Sequence, residues 1–148
     1  MIRERTREAQ MTFFLPLIKS IVSFLNSEGG DIFVGIAPDK KVVGIENDFK
    51  YLGKNKNFDG WSQWLSNFIS KHLNESVFRS ITLNQTQYDL KAVARITMTR
   101  HFKHTFVKYI DDKGQQREEF YIRGLNGKRL LSAEETYEYI FNHWQQLG

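Results

Sequence analysis

The chain has 148 residues, of which 21 are Lys or Arg, 17 are Asp or Glu, two are Pro and none is Cys. That length predicts one domain over residues 1–148, with residues 1–12 as an irregular arm, and the lack of Cys excludes a disulfide framework or a thiolate metal site. A net charge of +4 and a pI near 9.3 suit a polyanionic partner, but an excess this small makes its distribution decisive.

Arg3, Arg5 and Arg7 precede an apolar run at 13–25, which superficially resembles an export signal. Glu4 and Glu8 fall within the would-be positive region, Lys19 interrupts the run, and no small-x-small cleavage site follows. The run is also too short to cross a bilayer, so a buried helix and no membrane partner are expected. With cysteine absent, a reducing cytoplasm is the expected location.

Pro16 suits the first turn of that helix, and Leu17, Ile18, Ile21, Val22 and Leu25 recur at 3.6-residue spacing. The helix is expected to end near Asn26, with Gly29 or Gly30 in the left-handed conformation. A strand at 31–36, a turn at 37–41 and a short strand near 42–44 follow. After a connection at 49–57, Trp61, Trp64, Leu65, Phe68, Ile69 and Leu73 form one helical stripe, with Asp59 as the expected N-cap. That stripe makes the two tryptophans core residues rather than platforms for stacked bases.

Beyond His72 the period becomes two. Segments 77–83 and 88–98 predict a hairpin around 84–87, with Leu90, Ala92, Ala94, Ile96 and Met98 on one face. Segments 105–110 and 117–123 predict a second hairpin across 111–114. Ser132 and Glu135 form a capping box that opens a last helix, with Tyr137, Ile140, Phe141 and Trp144 as its expected buried stripe. The order predicts an α+β fold: a mostly antiparallel central sheet of about five to six strands with three main helices packed on it.

The segment 90–110 carries Lys91, Arg95, Arg100, Lys103 and Lys108, with His101 and His104, and no acid. Cations without interleaved carboxylates attract phosphates and release counterions on binding, although a solvated strand face would look the same. A second basic element, Arg123 to Arg129, holds Asn126-Gly127, which favours a tight turn, beside Arg123, Lys128 and Arg129. It is not a nucleotide loop, because only two residues separate its glycines and Arg129 stands where a magnesium-binding hydroxyl would be. Gly29-Gly30 opens a strand rather than a helix, so no dinucleotide cofactor is expected. His101 and His104 lack a third ligand nearby, so no metal is expected either.

The runs SFLNSEGGDIFVGI at 23–36, KVVGIENDF at 41–49 and EEFYIRGLNGKRLLSAEETYEYI at 118–140 resemble the Schlafen-like, Alba-type family, whose members are assigned to DNA binding. The resemblance extends over residues 16–144. It implies a nucleic-acid-binding domain, directed at the phosphates of DNA or RNA and weakly sequence-specific, within a transcriptional regulator. Arg123 matches the arginine of the family's Arg-Gly loop and is the first choice for an anion contact. Paired lobes in relatives imply a homodimer.

Some animal relatives cleave structured RNA with three carboxylates that hold divalent metal. That trio is not matched here. Glu4 and Glu8 are four apart instead of five, Ala9-Gln10 replaces Phe-Lys, and Ala37-Pro38 stands where relatives often have Asp. Asp39 is left as a single weak catalytic candidate, so an endoribonuclease is the alternative rather than the expectation. The strand that relatives place before the first helix is also missing, which keeps a protein-interaction or dimerisation module as a third reading.

Overall fold

The structure is a computed structural model that describes residues 14–50 and 52–144. The expected arm at 1–12, with Glu4 and Glu8, lies outside those residues. Helix α1 (Leu15–Leu25) buries Leu17, Ile18, Ile21, Val22 and Leu25 along the face their spacing predicts. Beyond it, the amide of Gly29 reaches back to the carbonyl of Phe24 (3.0 Å), and Gly29 takes φ +77°. A Cβ at Gly29 would strike the carbonyl of Met98, so glycine is needed for space as well as conformation.

Strand β1 (Gly30–Val34) joins β2 (Ile81–Tyr88) and β3 (Lys91–Met98) in an antiparallel sheet of order β1-β3-β2. In β3, Ala92, Ala94, Ile96 and Met98 are buried while Lys91 and Arg95 are exposed, as period two requires, although Val93 on the face of Lys91 and Arg95 is buried too. The turn is displaced from its expected place. Residues 84–87 continue β2, and Asp89 (φ +50°) and Leu90 (φ +63°) make the connection. Positive φ at both central residues matches the twist of a hairpin, and it sends Leu90 into solvent instead of the core. Residues 77–80 belong to a 3-10 helix, Glu75–Ser80, and the strand expected near 42–44 reduces to one bridge between Ile36 and Val42.

The expected single central sheet is corrected. Two separate two-stranded sheets stand beside the first: β4 (Val107–Ile110) with β5 (Gln116–Glu119), and β6 (Tyr121–Gly124) with β7 (Gly127–Leu130). Consecutive burial of Phe120 and Tyr121 breaks the alternation that would have run β5 into β6. The class remains α+β.

Three longer helices complete it. Besides α1 and the four-residue α2 (Glu46–Phe49), α3 (Phe58–His72) buries Trp61, Leu65, Phe68 and Ile69. Its N-cap is Asn57, whose side chain accepts from Gly60 N (2.9 Å), rather than Asp59. Helix α4 (Ala133–Trp144) opens with the predicted reciprocal bonds between Ser132 and Glu135. Its expected buried stripe is corrected: Tyr137 is 71% and Phe141 56% exposed. Inward contacts come from Tyr139, whose hydroxyl donates to the Asn26 carbonyl (2.6 Å), and Trp144, whose Nε1 donates to the His101 carbonyl (3.2 Å). Among the described residues no helix is long and apolar enough to cross a membrane.

Candidate nucleic-acid interface

Four of the cations read from the sequence have carboxylate neighbours. Arg95 donates to Asp31 across the sheet (3.0 Å), and Thr97 donates to the other oxygen (2.7 Å). Those two bonds, Thr97 first, hold the Asp31 carboxyl below its usual range. Lys108 lies 3.5 Å from Glu118, and Arg129 is bonded to Glu135. Arg100 donates to the His143 carbonyl (3.1 Å), lies over the Trp144 ring and has Glu28 at 3.8 Å. The expected stripe of Arg95, Arg100, Lys103 and Lys108 is therefore not continuous: Arg95 and Arg100 occupy separate settings, Lys103 and Lys108 share a cleft, and carboxylates lie beside three of the four.

His101, grouped in the sequence with the cations of the basic block, lies in the core. It is 1% exposed, with Nδ1 at 2.7 Å from Ser80 Oγ and Nε2 at 3.2 Å from Ser76 Oγ. Burial lowers its pKa, and the charges of Arg79 and Lys103 push the same way. Lys91 donates to the Val42 carbonyl (3.2 Å) at the exposed end of β3. Asp39 accepts from the Lys41 amide in an exposed turn, and among the described residues no three His, Asp or Glu side chains gather as a metal set.

Arg123 and Lys128 are different. They are directly opposite each other in the β6–β7 register, so their side chains share one face. That face rests on α1. The Arg123 guanidinium lies 4.3 Å from the Phe24 ring centroid and 3.4 Å from Ser23 Oγ, while its amide donates to Ser27 Oγ (3.0 Å). Lys128 Nζ donates to Ser20 Oγ (3.2 Å). Neither cation has a carboxylate partner among the described residues. Burial, then the charges of Lys19 and Arg123, lower the pKa of Lys128. Lys19 itself is paired with Glu119 (3.3 Å).

Like charges placed opposite one another destabilise a hairpin, so an anion between them would relieve the repulsion. The hydroxyl of Ser20, which accepts from Lys128, supplies a further donor without adding charge, whereas the buried Ser23 hydroxyl already donates to the Ser20 carbonyl (2.6 Å). Lys19, Ser20, Ser23 and Ser27 were not singled out from sequence. Their signal was there: positions 19, 23 and 27 recur every four residues, away from the apolar stripe.

Lys103 and His104 go elsewhere. With Lys108, Lys71 and His72 they line a cleft of about 360 Å³ between the end of α3 and the start of β4. Burial, then the charge of Lys103, lowers the pKa of His104.

Comparison with protein families matches residues 2–132 to the family described as Schlafen, AlbA_2. The chain belongs to the Schlafen, AlbA_2 family. The resemblance read in the sequence is thereby borne out, and α1, the three-stranded sheet and the Arg123–Lys128 hairpin all fall within the matched part of this Schlafen, AlbA_2 chain, whereas α4 lies beyond it. No curated protein gives a significant match. Among solved structures, the crystal structure of the DIP2311 protein from Corynebacterium diphtheriae is similar, with a TM-score of 0.54 and 16% identity. The match covers 85% of this chain and 19% of that one, so the chain spans about a fifth of its length, and the likeness speaks for the fold alone.

Proposed function

We propose that the domain binds DNA or RNA chiefly through phosphates, with little selectivity for base sequence. The observation that carries this reading is the pair Arg123 and Lys128, two cations face to face on a hairpin, supported by serine hydroxyls and unmatched by acid among the described residues. Membership in the Schlafen, AlbA_2 family supports a nucleic-acid-related role. Arginine, lysine and serine groups of this kind meet phosphate oxygens, contacts that fix position and carry no sequence information. Lys91 and Lys103 add positive charge to the field, while Arg95, Arg100, Lys108 and Arg129 contribute less because of their neighbours. In this reading the domain serves a cytoplasmic transcriptional regulator, and a homodimer doubles the phosphate-facing area.

The test is a titration against duplex DNA, single-stranded DNA and tRNA at low and physiological salt. The expected result is binding to more than one of these, weakening steeply as salt rises. A flat salt dependence contradicts the reading. Incubation of tRNA with the protein and Mg²⁺ or Mn²⁺ is expected to leave it intact; cleavage lost in Asp39→Ala would install the endoribonuclease instead.

A further inference from the structure

The cleft at the end of α3 has features that a solvated groove does not need. Its walls include Lys71, Lys103 and Lys108 and no carboxylate. Lys71 and Lys103 are exposed and carry no ion pair among the described residues. Its volume of about 360 Å³ falls within the ~300–1,000 Å³ range of small-molecule pockets, and exceeds what a bare inorganic anion would fill.

The second observation is His72. It is only 8% exposed and lines the cleft, yet its Nε2 has no hydrogen-bond partner. Its Nδ1 lies 2.8 Å from the Lys108 carbonyl, which can only accept, so Nδ1 carries the proton. In the neutral ring Nε2 then holds a lone pair. A buried acceptor without a donor is unfavourable, and an N–H or O–H group on a molecule bound in the cleft would satisfy it. His72 is held in place by the Phe68 ring at 4.5 Å, so this acceptor is fixed in advance.

The third is an aromatic wall. Phe106 is half-buried, lines the cleft and meets His104 edge to face at 6.2 Å. A flat apolar ring beside cationic groups suits a base next to its phosphate.

We propose that this cleft binds a nucleoside phosphate, with the phosphate held by Lys71 and Lys103, the base against Phe106 and a donor group on the ligand satisfying His72 Nε2. The molecule is either a free nucleotide or the 5′-phosphorylated end of a strand, since both present the same chemistry. The site is separate from the Arg123–Lys128 face and does not rest on it.

The experiment is calorimetric titration of the full chain with adenosine monophosphate, adenosine and inorganic phosphate, alongside a dinucleotide with and without a 5′-phosphate. Saturable binding of adenosine monophosphate is expected, at least about tenfold tighter than of adenosine or of phosphate alone. The double variant Lys71→Ala, Lys103→Ala removes two exposed side chains and is expected to weaken that binding at least about tenfold. Histidine ring resonances of His72 and His104 are expected to shift on binding. Tighter binding of the 5′-phosphorylated dinucleotide than of the mononucleotide identifies a strand end; the reverse identifies a free nucleotide. Equal affinity for phosphate and adenosine monophosphate, or unaltered affinity in the double variant, overturns the proposal. Adenosine monophosphate binding by a chain that fails to bind any polymer leaves the cleft standing and removes the hairpin reading, and the opposite pattern removes the cleft.

Discussion

The side-chain amide of Asn26 pairs with the backbone of Thr105 much as one strand pairs with another: Nδ2 donates to the Thr105 carbonyl (2.9 Å) and Oδ1 accepts from the Thr105 amide (3.0 Å). Nδ2 also donates to the Tyr121 carbonyl (3.0 Å), and the Asn26 carbonyl accepts from Tyr139. One buried residue thus ties the end of α1 to β6, to α4 and to the segment that leads into β4. Removing its side chain leaves backbone groups of Thr105 and Tyr121 buried without partners, at about 1–3 kcal/mol each. Asn26→Ala is expected to lower the unfolding free energy by about 3–5 kcal/mol in a urea titration. A loss below about 1 kcal/mol would mean that water takes over the amide's bonds.

Gly29→Ala places a Cβ against the Met98 carbonyl at a backbone φ of +77°. Strain of this kind costs about 1–3 kcal/mol before any clash, so a fall of about 2–4 kcal/mol is expected by the same titration. Gly114 also has φ +77° but nothing within 4 Å of a built Cβ, so Gly114→Ala is expected to cost less than Gly29→Ala. Equal effects would mean that the contact with Met98 carries no weight.

Much of this frame was legible because its determinants are local. The apolar spacing of α1 and α3, the glycine after α1 and the Ser132–Glu135 box depend on residues a few positions apart. The β2–β3 turn was not legible, since Asn84–Gln87 look turn-forming while Leu90 carries no turn signal. Hydrophobicity placed Tyr137 and Phe141 inside, but the Asn26 carbonyl draws Tyr139 inward and rotates them out. Compensation of the basic block was invisible for a different reason. Arg95 meets an acid 64 residues away, a contact that only strand pairing creates.

A part-buried network links Lys19, Glu119, Tyr109 and Tyr121. Burial and the bond to Glu119 push the Tyr121 hydroxyl up to about 12 from a usual value near 10. A folded pKa above the unfolded one gives stability that is complete below the unfolded value and lost as pH rises through the folded one. Stability is therefore expected to decline between about pH 10 and pH 12. For Glu119, burial pushes the carboxyl up, but bonds from Tyr121 and Tyr109 and the charge of Lys19 outweigh it and hold it below its usual range. That contribution is present above the unfolded pKa near 4.5 and fades as pH falls through the folded one. Denaturation midpoints across pH, compared with those of Tyr121→Phe, check the alkaline limb: the variant is expected to lose stability less steeply there.

Glu135→Gln keeps an acceptor for the Ser132 amide but removes the charge beside Arg129. The cap is preserved and a cation on β7 is released. Duplex DNA affinity at low salt is expected to rise about two- to fivefold, measured by fluorescence anisotropy. An unchanged affinity would show that Arg129 takes no part in the field.

The salt dependence of duplex binding, compared between the wild-type chain and the variant Arg123→Ala, Lys128→Ala, goes to the heart of the matter. Each phosphate contact contributes about 0.9 to the slope of log affinity against log salt. The paired-cation face predicts that the double substitution lowers the magnitude of that slope by about two and weakens binding alike across duplex sequences. A slope and affinity equal to those of the wild-type chain would contradict it.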